Sequence, residues 1–163
     1  MDKTGVLMYT IISYRENDAV YRGGYCEGRT DSDMTLQSTQ SREQAIELLA
    51  HAIYLDTVAQ DRSLNKDYEF TAGADITLGI NGYFGSSYAV DEISDEDYEK
   101  YSAERQLMLE DAEIIAKRKY DARLVDHREA QRLRAEKAEQ QAAERREIEE
   151  RAQLARLKAK YGE

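Results

Sequence analysis

Hydrophobic and polar positions follow a short period near the N-terminus and a longer one further along the chain. Val6 to Arg15 is rich in β-branched and aromatic residues (Val6, Tyr9, Thr10, Ile11, Ile12, Tyr14), which predicts a strand. The Glu16-Asn17-Asp18 cluster then supplies a turn, and Ala19 to Cys26 reads as a return strand. Within it, Gly23-Gly24 marks a bulge or the close approach of another backbone. Residues 27–40 are polar and read as loop.

The period lengthens at Ser41, which is followed three residues later by Gln44, the spacing of a capping box. Ala45, Leu48, Leu49, Ala52 and Leu55 then recur at helical spacing and define a face to pack on a sheet. This helix is expected to end near Gln60, ahead of the polar stretch 61–67, and strand-like sequence resumes at Tyr68 to Thr71. Asn81-Gly82 lies between Ile76, Leu78, Ile80 and Tyr83, Phe84, Tyr88. That dipeptide tolerates the positive φ angles of a type I′ turn, so a hairpin is predicted, with Gly85 interrupting its second arm. The head is therefore expected to be β-β-α-β-β, an α+β fold in which a small antiparallel sheet carries one packed helix. Tyr68 to Thr71 is a candidate further strand.

From Ser94 the pattern changes again. Ser94 precedes Asp95, Glu96 and Asp97, an N-cap hydroxyl followed by carboxylates that favour the positive end of a helix dipole. Proline and glycine are then absent as far as Tyr161, which predicts one long charged helix reaching about 100 Å if unbroken, with a break near 121–129 as the alternative. Tyr98, Tyr101, Met108, Ala112 and Ile115 form an apolar stripe that fades. We accordingly divide the chain into a head, 1–93, and a helix, 94–163, of which 94–116 docks on the head and 117–163 projects or self-associates. The best distal heptad seam (Ala135, Ala138, Ala142, Arg145, Glu149, Ala152) is small and charged, a weak coiled-coil signal. Ion pairs at i,i+4, such as Glu113 with Lys117 and Glu147 with Arg151, give only about 0.2 to 0.5 kcal/mol each.

Composition sharpens this picture. At 163 residues the chain has room for one core and an appendage. Residues 1–94 hold 7 of its 23 basic and 15 of its 33 acidic side chains, so the head carries most of the net charge of −10 and the tail is nearly balanced. No stretch approaches a membrane span, nothing at the N-terminus reads as a targeting signal, and a single cysteine fits a reducing compartment. A cytoplasmic protein is expected, in a host cytoplasm if the gene is viral.

Candidate chemistry is sparse. His51, His127 and Cys26 are far apart and lack ligand spacing, so neither a metal nor a cofactor is expected. The acids at 91–97 lack the glycine turn and terminal glutamate of a calcium loop. The glycines match neither phosphate-binding fingerprint, and no nucleophile has a sequence-local activator, so an enzyme is not expected. The expected function is instead a non-catalytic acidic protein-protein interaction module, an inhibitor or adaptor that meets a basic surface on a partner protein. In style, though through no defined motif, the chain resembles virus-encoded or mobile-element inhibitors of host proteins. The contact residues expected are Asp91, Glu92, Asp95, Glu96 and Asp97 with the hairpin tyrosines Tyr83 and Tyr88. A homo-oligomer through the C-terminal helix is a further expectation. The alternative is a nucleic-acid-associated regulator using Arg118, Arg123 and Arg128, although the cations of 117–134 scatter over two sides of the helix.

Overall fold

A computed structural model describes residues 6–17, 31–66, 72–85 and 93–162. The expected strands Ala19 to Cys26 and Tyr68 to Thr71 lie outside these residues. The elements run β1 (Tyr9–Asn17), β2 (Asp31–Thr39), α1 (Arg42–Ala59), β3 (Ala74–Ile80) and α2 (Asp95–Tyr161). The fold is α+β: a three-stranded antiparallel sheet in the order β2-β1-β3, one packed helix and one long C-terminal helix.

One expectation is corrected outright, because the stretch read as loop contains β2. Its polarity hid the alternation of Met34 and Leu36 with Asp33, Thr35 and Gln37, and pairing with β1 along its whole length holds it extended. A second correction concerns β1, which begins three residues later than Val6 and continues through Glu16 and Asn17, the residues read as a turn. Cross-strand pairs at both positions extend the ladder there.

Ser41 and Ser94 both act as N-caps, but the capping box expected at Ser41 forms only in part, because the Ser41 amide donates to Thr39 Oγ1 and the Gln44 side chain accepts from the Thr39 hydroxyl. Ser41 Oγ accepts the Gln44 amide at 3.2 Å and α1 closes at Gln60. Ser94 Oγ accepts the Asp97 amide at 3.2 Å and donates to the Asp97 carboxylate at 3.1 Å, a reciprocal cap that starts α2. Asn81 and Gly82 take φ of 50° and 84°, both central positions of a type I′ turn, and Ile80 and Tyr83 exchange backbone hydrogen bonds of 2.9 Å across it. Beyond that bridge the described residues form no second arm. Gly85, also at φ 84°, turns the chain out of the extended conformation.

The core lies on one face of the sheet. Tyr9, Ile11, Leu78 and Ile80 are buried against Ala45, Ile46, Leu49 and Ala50 of α1 and against Met108, Ala112 and Ala116 of α2. The last three repeat every four residues, and two of them are alanines that let α2 approach closely. Arg42 of α1 pairs with Glu104 and Asp111, and Lys119 with Glu47, so ion pairs border the apolar contact. Tyr120 donates to Asp61 at 2.6 Å. That bond, with the Ser63 hydroxyl and amide, holds the Asp61 carboxyl below its ordinary pKa.

The chain divides into two compact units, Met1–Asp121 and Ala122–Glu163. Within the second unit α2 buries nothing: every residue from 128 to 162 is exposed. Replacing Met108 by alanine is therefore expected to cost about 2 to 5 kcal/mol in urea denaturation. Leu154→Ala, at a position 58% exposed, should change stability by no more than about 0.5 kcal/mol.

Candidate interaction surface

Because β1 is the central strand, its alternation sorts the whole sheet into two faces. Odd-numbered residues of β1 and β2, and the even-numbered residues of β3 opposite them, face the helices. The even-numbered residues of β1 define the opposite face, and the register places three cross-strand rows there: Ser38-Thr10-Gly79, Leu36-Ile12-Thr77 and Met34-Tyr14-Asp75. Thr10 and Ser38 hydroxyls lie 3.1 Å apart in the first row. Met34 is 61% exposed, Leu36 59% and Tyr14 38%, with Ile12 half-buried between them. This outer face carries an apolar patch in a chain of net charge −10, and the formal charges on the same face are Asp75 on β3 and Glu16 at the far end of β1.

The patch is completed from below the hairpin turn. A Cβ at Gly79 would lie 2.4 Å from the Phe84 ring, so glycine at that position lets the ring rest on β3. Sequence reasoning missed this surface because Met34 and Leu36 fell within a stretch read as loop. The readable signal was their period-two spacing.

The opposite face is polar beyond the core. Ser13, Arg15, Asp33, Thr35 and Gln37 line an open cleft of about 310 Å³ with Leu48, His51, Ala52 and Leu55 of α1. Arg15 donates to Asp56 Oδ1 at 2.9 Å, and the same oxygen accepts the Ala74 amide at 2.8 Å, so this guanidinium fastens the sheet to α1 and the start of β3. His51 is exposed, its ring stacked on Tyr54 at 6.3 Å between centroids. Among the described residues no group of three or more histidine, cysteine or carboxylate side chains is arranged to hold a metal ion.

The sequence-derived contact residues separate into different environments. Tyr83 is 1% exposed and belongs to the core, which removes it from the candidate surface. Its ring meets Tyr98 edge-on at 5.2 Å and lies under the Arg105 guanidinium at 5.7 Å, while Arg105 Nε donates to the Leu78 carbonyl at 2.7 Å. Asn81 joins the same junction, donating to Tyr101 Oη at 3.0 Å and exchanging 2.8 Å bonds with the Met8 backbone. Asp95 and Glu96 are exposed, and Asp97 is exposed with its carboxylate engaged in the cap. Asp91, Glu92 and Tyr88 lie outside the described residues. Arg118, Arg123 and Arg128 are exposed on α2. Spaced five residues apart, successive members point about 140° from one another around the helix and form no single stripe.

Comparison with family models, curated proteins and solved structures returned no match. No described helix is long and apolar enough to cross a membrane. The functional reading therefore rests on the geometry of the surface itself.

Two outcomes are expected from this geometry. Gly79→Ala should displace Phe84 and destabilise the head by about 1 to 3 kcal/mol, read as a lower urea midpoint and a shifted Phe84 ring resonance. Burial raises the pKa of Tyr83, helped by its hydrogen bond with Tyr98, and burial with the nearby Glu104 carboxylate raises that of Tyr9. Groups whose folded pKa is raised contribute stability that is complete below the unfolded value, about 10 for tyrosine, and is lost as pH rises through the folded value. Urea midpoints should thus hold up to about pH 9.5 and fall steeply above it, with a shallower fall in Tyr83→Phe. An identical alkaline slope in that variant would contradict the assignment.

Proposed function

We propose that the protein is a non-catalytic protein-protein interaction module, an adaptor or inhibitor that covers an apolar surface flanked by basic groups on another protein. The observation that carries this reading is the outer sheet face, where Tyr14, Met34 and Leu36 stand exposed around Ile12. Exposed apolar patches of this kind commonly mark contact surfaces, and methionine and tyrosine are enriched in the cores of such interfaces. The net charge of −10 and the exposed Asp95 and Glu96 favour a partner with basic groups around its apolar centre. Long-range attraction between the two would speed encounter and weaken with added salt.

The test is affinity capture of the full-length protein from native lysate, with and without nuclease, in wild type and in Tyr14→Glu/Thr77→Glu. Those substitutions place charge on the outer face of the two strands away from β2. A stoichiometric protein partner that survives nuclease and is lost in the double variant is the expected result. Capture that collapses with nuclease, or that ignores the double variant, would contradict the reading. Asp95→Lys/Glu96→Lys should flatten the salt dependence of the captured interaction while leaving the fold intact.

A further inference from the structure

β2 is an edge strand of unusual openness. It runs nine residues, Asp31–Thr39, and among the described residues only β1 pairs with it. Each side chain from Asp33 to Ser38 is exposed, on both faces of the sheet, so β2 overhangs the core that secures β1 and β3. The usual protections of such an edge are charged side chains, lysine above all, proline, a bulge or a covering element; β2 contains neither lysine nor proline, and its two charges, Asp31 and Asp33, lie at its N-terminal end. The pairing with β1 is regular from end to end, without a bulge. Among the described residues nothing pairs with the outer row of backbone donors and acceptors of β2, beside which stand two large exposed apolar side chains.

We propose that this edge pairs with the same edge of a second copy, antiparallel about a two-fold axis at Thr35, to give a continuous six-stranded sheet. The register follows from the side chains. Centred on Thr35, Met34 of each copy stands opposite Leu36 of the other, so two apolar cross-strand pairs form on the outer face. On the inner face Asp33 stands opposite Gln37, and the carboxylates of the two copies are kept apart. Moving the centre to residue 33 would place Asp33 against Asp33. Moving it to residue 34 or 36 would pair one apolar residue with itself and leave the other opposite a polar position. A slip of one residue in the pairing would turn the apolar side chains of the two copies to opposite faces of the sheet. Strand β2 is thus self-complementary in one register, the condition for an isologous two-fold contact. The axis stands normal to the sheet, which keeps both α1 helices on one face and doubles the outer apolar face on the other.

The interface is a single strand pair about 30 Å long, at the small end of specific contacts, so a reversible, concentration-dependent dimer is expected. Two acidic copies repel one another, and added salt should strengthen their association. This is the opposite of the salt response expected for a basic partner, and the outer-face variant Tyr14→Glu/Thr77→Glu leaves the β2 edge in place.

The experiment is register-specific cross-linking of the full-length chain with Cys26→Ser as background, circular dichroism confirming the fold of each variant. Opposed Cα atoms in an antiparallel pair lie about 4.5 to 5.5 Å apart, within disulfide range. Thr35→Cys alone should therefore oxidise to a dimer. Gln37→Cys alone should not, because its own counterpart is displaced by about 14 Å along the strand, whereas Gln37→Cys mixed with Asp33→Cys should. Sedimentation equilibrium on the wild type should show mass rising from 18.7 kDa toward twice that with concentration. Met34→Lys/Leu36→Lys should hold it at the monomer value. A wild type that stays monomeric throughout, a dimer indifferent to Met34→Lys/Leu36→Lys, or Gln37→Cys alone linking as readily as Thr35→Cys would overturn the proposal.

Discussion

The structure depends on the burial of one sheet face by two helices that arrive from the same side. Tyr9, Ile11, Leu78 and Ile80 receive both α1 and the Met108-Ala112-Ala116 row of α2, and the outer face receives neither helix. Burial of apolar area on the helix side, about 25 cal/mol for each Å² removed from water, supplies the driving force that fixes the strands. Once β1 is held that way, its period of two leaves Ile12 and Tyr14 pointing outward whatever the remainder of the chain does. The exposed apolar patch is thus a consequence of the same alternation that builds the core.

The charged groups follow from this arrangement. Arg42, Lys119, Glu47, Glu104 and Asp111 form ion pairs where α1 and α2 meet, at positions open enough to water that each contributes little. Arg105 does more, because its Nε satisfies the Leu78 carbonyl while its guanidinium covers the buried Tyr83 ring. In the distal part of α2 every residue from 128 to 162 is exposed. From residue 128 onward its helical form rests on intrinsic propensity and on exposed i,i+4 pairs such as Arg132 with Glu136 and Glu147 with Arg151.

Much of this was legible in the residues, and where it was not the cause is specific. Ser41, Asn81-Gly82 and Ser94 each act locally, through a side-chain oxygen or a positive φ angle, so their neighbours alone announced a helix start, a turn and a second helix start. Strand β2 was not legible as a strand, because what holds it is backbone pairing with β1 and its composition is that of a polar loop. Tyr83 was misplaced for a related reason. A tyrosine after a turn reads equally well as an exposed contact or as a core residue, and only the arrival of Tyr98 and Arg105 from α2, far along the chain, decides between them. Among the candidate surface residues, those of the outer sheet face required the three-strand register, a non-local property that periodicity in one segment does not supply.

The open outer face is tested most directly by the methionine methyl resonances, since the chain has four methionines and three lie among the described residues in contrasting environments. With a soluble paramagnetic relaxation agent and dilute protein, the Met34 methyl should broaden strongly and the Met108 methyl, fully buried, should not, with Met8 intermediate. A Met34 methyl as well protected as that of Met108 would mean that the outer face is covered within a single chain, and would contradict both the proposed interaction surface and the proposed pairing of β2 edges.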